Sequence, residues 1–101
     1  MAAYVIVQYV IKNPNLYREY SQGAGPTLAA YGGKVVAFDV ASETVEGKPP
    51  GPQTVVIEFE SVEKAKAWYH SPEYQKVVGK RLAATEGHAV IAQSMNVGAP
   101  R

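Results

Sequence analysis

The spacing of apolar residues along this chain switches between two and roughly 3.6 in a set order, and that order leaves few folds open. Tyr4 to Ile11 is dense in Val, Ile and Tyr, with Val5, Val7, Tyr9 and Ile11 on one side and Tyr4, Ile6, Gln8 and Val10 on the other. A strand has this period, and these residue types suit a pleated, half-buried surface. Asn13-Pro14 supplies an N-cap and a first-turn proline, after which Leu16, Tyr17, Tyr20, Leu28 and Tyr31 follow at helical spacing. Gly23, Gly25 and Pro26 predict a kink or restart inside that helix, and Gly32-Gly33 a left-handed C-cap.

Lys34 to Val40 reads as a second strand, Glu46 to Gln53 as an exposed connection rich in Pro and Gly, and Thr54 to Phe59 as a third strand. Ser61 caps a short helix whose stripe is Val62, Ala65, Trp68 and Tyr69. Ser71-Pro72-Glu73 starts another, with Tyr74, Val77, Val78, Arg81 and Leu82 on one side. Gly87 is expected to end it, and His88 to Met95 to form the fourth strand; Asn96 to Arg101 is expected to fray.

The resulting order, β-α-β-β-α-β with the second helix split, is the ferredoxin-like α+β pattern: one domain with a four-stranded antiparallel sheet and helices on one face. The chain has 101 residues, which suits a single core. Helices cover only one side, yet the other still carries Tyr4, Ile6, Val10 and Val56. That is too much apolar surface to leave wet, so a homodimer with sheets stacked face to face is expected.

Composition closes several routes. With no cysteine there is no disulfide, thiolate metal site or cysteine nucleophile, and two histidines make a zinc site unexpected. A net charge of +1 with no basic run argues against a nucleic-acid partner. The apolar start lacks the marks of a targeting segment and is too short to span a bilayer, so no membrane association and a cytoplasmic location are expected. GAGPT (23–27) is not a dinucleotide fingerprint and GKPPG (47–51) is not a P-loop, and no cofactor is expected.

Arg81 is the most informative charge, because it falls inside the apolar stripe of its helix. A guanidinium there pairs a structural carboxylate, with Asp39 and Glu58 as candidates, snorkels to water, or reaches into a cavity for an anion. Trp68, Tyr69 and Tyr20 lie on helix faces with Tyr17 and Tyr74, where aromatic rings build either a core or a small-molecule pocket. The Ser71-Pro72 turn is expected to bring Trp68 and Tyr69 towards Arg81. His70 can act in acid–base chemistry or simply cap its helix, and His88 reads as a surface residue. Asp39 shares its phase with Val35 and Ala37, facing either a cavity or a turn, and Glu58 shares the phase of Val56 on the outer face.

The segments YGGK (31–34), VVIEFES (55–61), AWYHSPEYQ (67–75) and KRLAA (80–84) resemble the domain-of-unknown-function family 1330, part of the dimeric α/β-barrel superfamily. The resemblance runs from about Tyr4 to Met95 and implies the same fold and dimer, an arginine at the place of Arg81, and no reaction. Phe38-Asp39 and His70 depart from the family pattern, which places a Gly-rich pair and a small or acidic residue there. The resulting expectation is a pocket between sheet and helices for a small organic ligand, anionic or aromatic. The alternatives are a non-catalytic interaction module or, by analogy of fold only, a cofactor-free oxygenase or isomerase.

Overall fold

A computed structural model describes residues 2–95 of the chain; the tail from Asn96 lies outside the described residues. The elements are β1 (Ala3–Ile11), α1 (Pro14–Ala30), β2 (Lys34–Asp39), β3 (Gln53–Phe59), α2 (Val62–Tyr69), α3 (Pro72–Ala84) and β4 (Thr85–Gln93). The four strands form one antiparallel sheet in the order β2-β3-β1-β4, the ferredoxin-like arrangement. No helix among the described residues is long and apolar enough to cross a membrane.

The alternation in β1 is realised directly: Ala3, Val5, Val7 and Tyr9 are buried under the helices, and Tyr4, Ile6, Gln8 and Val10 are half-buried on the outer face. β3 repeats this with Gln53, Val55, Ile57 and Phe59 inside. Burying each of the larger apolar side chains contributes about 1.5–3 kcal/mol, so a register slip of one residue would forfeit most of the core. β2 and β4, at the edges, are covered far less: Val35 and Phe38 remain 47% and 59% exposed although they pair with the inward-facing Ile57 and Val55.

All three helix starts are capped by the residues the sequence nominates. Asn13 Oδ1 accepts from Leu16 N at 3.1 Å, Ser61 Oγ from Lys64 N at 3.1 Å and Ser71 Oγ from Tyr74 N at 3.1 Å. Each such cap contributes about 1 kcal/mol. Ser71 Oγ also donates to Trp68 O at 2.7 Å, which fixes the turn between α2 and α3. α1 ends with Gly32 at φ +76°, while Gly33 N donates to Leu28 O at 2.8 Å and closes the last turn.

Four local expectations need correction. α1 does not restart at Pro26 but continues as one helix from Pro14 to Ala30, and Gly25 offers no Cβ to clash with the proline ring. Gly87 does not end α3. The helix stops at Ala84, whose carbonyl accepts from Lys12 N (2.7 Å) and Asn13 N (3.1 Å), while Thr85 Oγ1 takes the carbonyl of Arg81 at 2.7 Å. β4 therefore starts at Thr85 and ends at Gln93, with Gly87 opposite Tyr9, where a Cβ would meet Gln8 O and the Tyr9 side chain. Finally, a bulge between Val35 and Ala37 shifts the phase of β2, so Asp39 pairs with Thr54 on the outer face and no longer follows Val35.

The core centres on Trp68, Tyr74 and Phe59, its largest fully buried side chains. The Trp68 ring lies 4.0 Å from that of Tyr74 and 5.5 Å from that of Phe59, centroid to centroid. Its indole N–H donates to Thr27 Oγ1 at 3.0 Å, and that hydroxyl donates to Ala24 O at 2.6 Å. Thr27→Val keeps the shape and strands the indole N–H, so it should lower stability by about 1–3 kcal/mol in chemical denaturation. An unchanged midpoint would show that this bond does not hold α1 to α2.

Candidate functional site

Between the inner face of the sheet and the three helices lies a cavity of about 140 Å³. Val5, Val7, Val55 and Ile57 line it from the sheet. Around them runs a belt of rings. Tyr9 and Tyr17 have centroids 5.7 Å apart, Tyr17 and Tyr20 5.6 Å, Tyr20 and Tyr74 6.2 Å, and Tyr74 and Tyr69 5.5 Å. Trp68 also contributes to the lining, although its only polar atom is spent on Thr27. Val35 and Phe38 of β2 complete the cavity at its exposed edge.

Arg81 brings the charge. It is 5% exposed, which rules out a snorkelling head group, and its guanidinium carbon lies 5.9 Å from the Tyr9 ring centroid. Its Nε has no hydrogen-bond partner among the described residues. The ion pairs among the described residues, Lys12–Glu86 at 2.9 Å and Lys80–Glu19 at 3.5 Å, are exposed and do not involve it. Contact with a ring face offsets about 0.5–2 kcal/mol of the several that desolvating a cation costs. The remaining deficit is what an anion entering the cavity would relieve. A second cavity of about 180 Å³ lies against Arg81 towards β4, bounded also by Tyr9, Tyr69, Leu82, Thr85 and His88.

The phenols are arranged in hydrogen-bonded pairs. Tyr9 and Tyr17 hydroxyls are 2.6 Å apart, and Gln53 Nε2 donates to Tyr17 Oη at 2.8 Å. Tyr20 and Tyr74 hydroxyls are 2.8 Å apart. Burial drives the Tyr9 and Tyr20 phenols far above the ordinary tyrosine range; their phenol partners add to the rise and Arg81 opposes it. Burial also raises Tyr74, again against Arg81. All three are therefore neutral donors at physiological pH.

Of the residues singled out in the sequence, Arg81, Trp68, Tyr69 and Tyr20 meet at this cavity, as do Tyr17 and Tyr74. Arg81, however, lies over Tyr9 rather than between Trp68 and Tyr69 alone. His70 is exposed at the end of α2, against the Tyr69 ring at 5.3 Å, and borders a separate depression with Val90 and Ile91. Asp39 is exposed on the far face and accepts from Ala41 N at 2.9 Å, a turn contact. Glu58 accepts from Tyr4 Oη at 3.4 Å, also on the outer face. Neither carboxylate pairs with Arg81.

Tyr9, which lines the cavity, and Gln53, which donates to the lining Tyr17, were not singled out as site residues in the sequence. The available signal was polarity on an inward phase: Tyr9 among Val5, Val7 and Ile11, and Gln53 in phase with Val55, Ile57 and Phe59. No group of three or more metal-ligating side chains is assembled among the described residues.

Comparison with known proteins places this geometry among relatives. Residues 2–95 match the model of a family described as Domain of unknown function (DUF1330). A search of curated proteins finds no match. Among solved structures, the chain is similar to RPA0582, a protein of unknown function from Rhodopseudomonas palustris. That pair shares 18% identity with a TM-score of 0.78, covering 94% of this chain and 83% of that one. HapK from Hahella chejuensis is 13% identical with a TM-score of 0.62, covering 98% of both chains. Rv0793 from Mycobacterium tuberculosis is 12% identical with a TM-score of 0.54, covering 96% of both. At these identities the likeness is one of fold.

The phenol environment has a measurable consequence. A tyrosine whose folded pKa is raised stabilises the fold below its unfolded value of about 10, and that contribution is lost as pH rises above it. Native protein at about pH 11 should therefore show incomplete phenolate absorbance from its seven tyrosines, with the remainder released on unfolding. Stability should fall over the same alkaline range. Full ionisation with the fold intact would show that Tyr9, Tyr20 and Tyr74 are open to solvent.

Proposed function

The chain belongs to the DUF1330 family, and from its cavity we propose that it binds a small organic anion, whose charged group meets Arg81 while the tyrosine belt and valine floor cover its apolar part. The observation that carries this reading is a guanidinium buried to 5% exposure, with an unpartnered Nε, at the wall of an aromatic cavity. An arginine fork suits a carboxylate, and a partly desolvated site strengthens the pair. An interaction module would be better served by a filled core with Arg81 at the surface. The cavity lining carries donors but no carboxylate or imidazole to serve as a general base, so the reading is one of binding rather than of a named reaction.

We also propose that the working form is a homodimer joined through the outer sheet face. Ile6 pairs with Val56 and Val90 at the centre of that face, where Val90 is 49% exposed. Tyr4–Glu58 and Gln8–Thr54 hydrogen bonds flank this apolar centre on either side. A second copy suits the surface because a sheet packs best on another sheet, and two-fold self-association is the commonest closed arrangement.

Arg81→Met should abolish the thermal shift given by aromatic and aliphatic carboxylates in a ligand screen, while leaving the melting temperature of the free protein unchanged or higher. Replacing an uncompensated buried charge by an apolar side chain is neutral or stabilising, whereas breaking a structural pair would cost about 3–5 kcal/mol. A large fall in melting temperature, with no carboxylate response in the parent protein, would overturn the site. For the dimer, sedimentation should give twice the chain mass at micromolar concentration and the chain mass for Ile6→Asp, which places an unpaired charge in the interface. A stable folded monomer of the unmodified chain would refute it.

A further inference from the structure

The phenol pairs allow a hydrogen-bond count that says more about the ligand. A tyrosine hydroxyl has one proton to donate, so a pair in mutual contact uses one proton and leaves the other free. Tyr20 and Tyr74 are such a pair, and no further acceptor for either hydroxyl is present among the described residues. In the Tyr9–Tyr17 pair the Tyr17 oxygen also accepts from Gln53, and again one phenol proton has no acceptor among the described residues. Arg81 Nε–H is a third donor in the same state. The cavity thus offers several donors and no charged acceptor, with only the hydroxyls of Tyr69 and the exposed Ser21 in addition. A donor that a ligand covers without meeting loses its hydration and gains nothing in return, so the complementary ligand is one rich in acceptor oxygens.

Volume limits the rest. About 140 Å³ is close to the roughly 150 Å³ of an apolar cavity that takes benzene, so one ring fits and its substituents must extend into the adjoining cavity at Arg81 or towards the exposed edge. Resting on the reading of Arg81 as an anion site, we propose that the ligand is a single-ring aromatic carboxylate bearing a second acceptor oxygen of carbonyl type, and that Tyr20 and Tyr74 act as a shared hydroxyl donor to that oxygen. Either phenol can supply the free proton, because each can accept from the other. Ligands ending in an amine or ammonium are rejected, since they bring donors to donors beside a fixed positive charge.

Calorimetric titration with benzoate, meta- and para-formylbenzoate and benzylamine tests this. At least one formylbenzoate should bind roughly 3- to 10-fold tighter than benzoate, the size of one neutral hydrogen bond. Tyr20→Phe and Tyr74→Phe should each keep most of that advantage, since the remaining phenol still has a proton to donate. The double variant should lose it, its formylbenzoate and benzoate affinities becoming equal to one another. Formylbenzoates no tighter than benzoate in the parent protein, a comparison that needs no variant, would overturn the second-acceptor proposal and leave the anion site standing. So would an advantage that survives in a folded double variant. Benzylamine binding as tightly as benzoate, or no binding by any of the four probes, would overturn the anion site itself.

Discussion

Trp68 ties the helical layer together and to the sheet. Its ring packs on Phe59 of β3 and Tyr74 of α3, and its indole N–H reaches Thr27 of α1. An aromatic residue of this size supplies both a large apolar area and one directional bond, and here the two act on different elements. Ser71, which takes the Trp68 carbonyl and caps α3, holds α2 and α3 at the angle this packing needs. The helical part of the cavity lining is positioned from this point: Tyr69 and Tyr74 flank the turn, Arg81 follows two turns along α3, and Tyr17 and Tyr20 lie on the helix that Thr27 anchors.

Trp68 and Tyr74 are at once part of this anchor and part of the cavity wall. A chain optimised for stability alone would place an apolar residue at position 81 and fill the space. Instead the fold buries a guanidinium whose Nε has no partner among the described residues and sets beside it phenols whose ionisation burial opposes. Departures from good packing of this kind cost stability, and it is on them that the proposed binding role rests.

The two faces of the sheet divide the polar work. Inside, polar side chains fall in two groups: Thr27, Ser71 and the Trp68 indole at the helix junction, and the tyrosine pairs, Gln53 and Arg81 at or beside the cavity. Outside, Tyr4–Glu58 and Gln8–Thr54 form cross-strand hydrogen bonds about the Ile6–Val56 pair. Glu58 is thus satisfied by its neighbour across the sheet, and Asp39 by a turn amide. The acidic residues that looked available to Arg81 are separated from it by the thickness of the sheet.

Period and capping chemistry determined the fold. Alternation in β1 and β3 assigned the inner and outer faces, and Asn13, Ser61 and Ser71 marked all three helix starts, because these are interactions between residues close in sequence. The convergence of Arg81, Trp68, Tyr69 and Tyr20 was also legible, since helical phase decides which side of an element faces the sheet. Tertiary structure decided the rest. The bulge at Val35–Ala37 moved Asp39 to the other face, and a hydrogen bond from Lys12 ended α3 before Gly87 did. Tyr9 and Gln53 became part of the site through partners on other elements. None of these can be read from spacing, because each depends on which atoms of distant segments come within hydrogen-bond reach. The same holds for Arg81: its place on the inner stripe is a property of the sequence, whereas its lack of a carboxylate partner is a property of the folded chain.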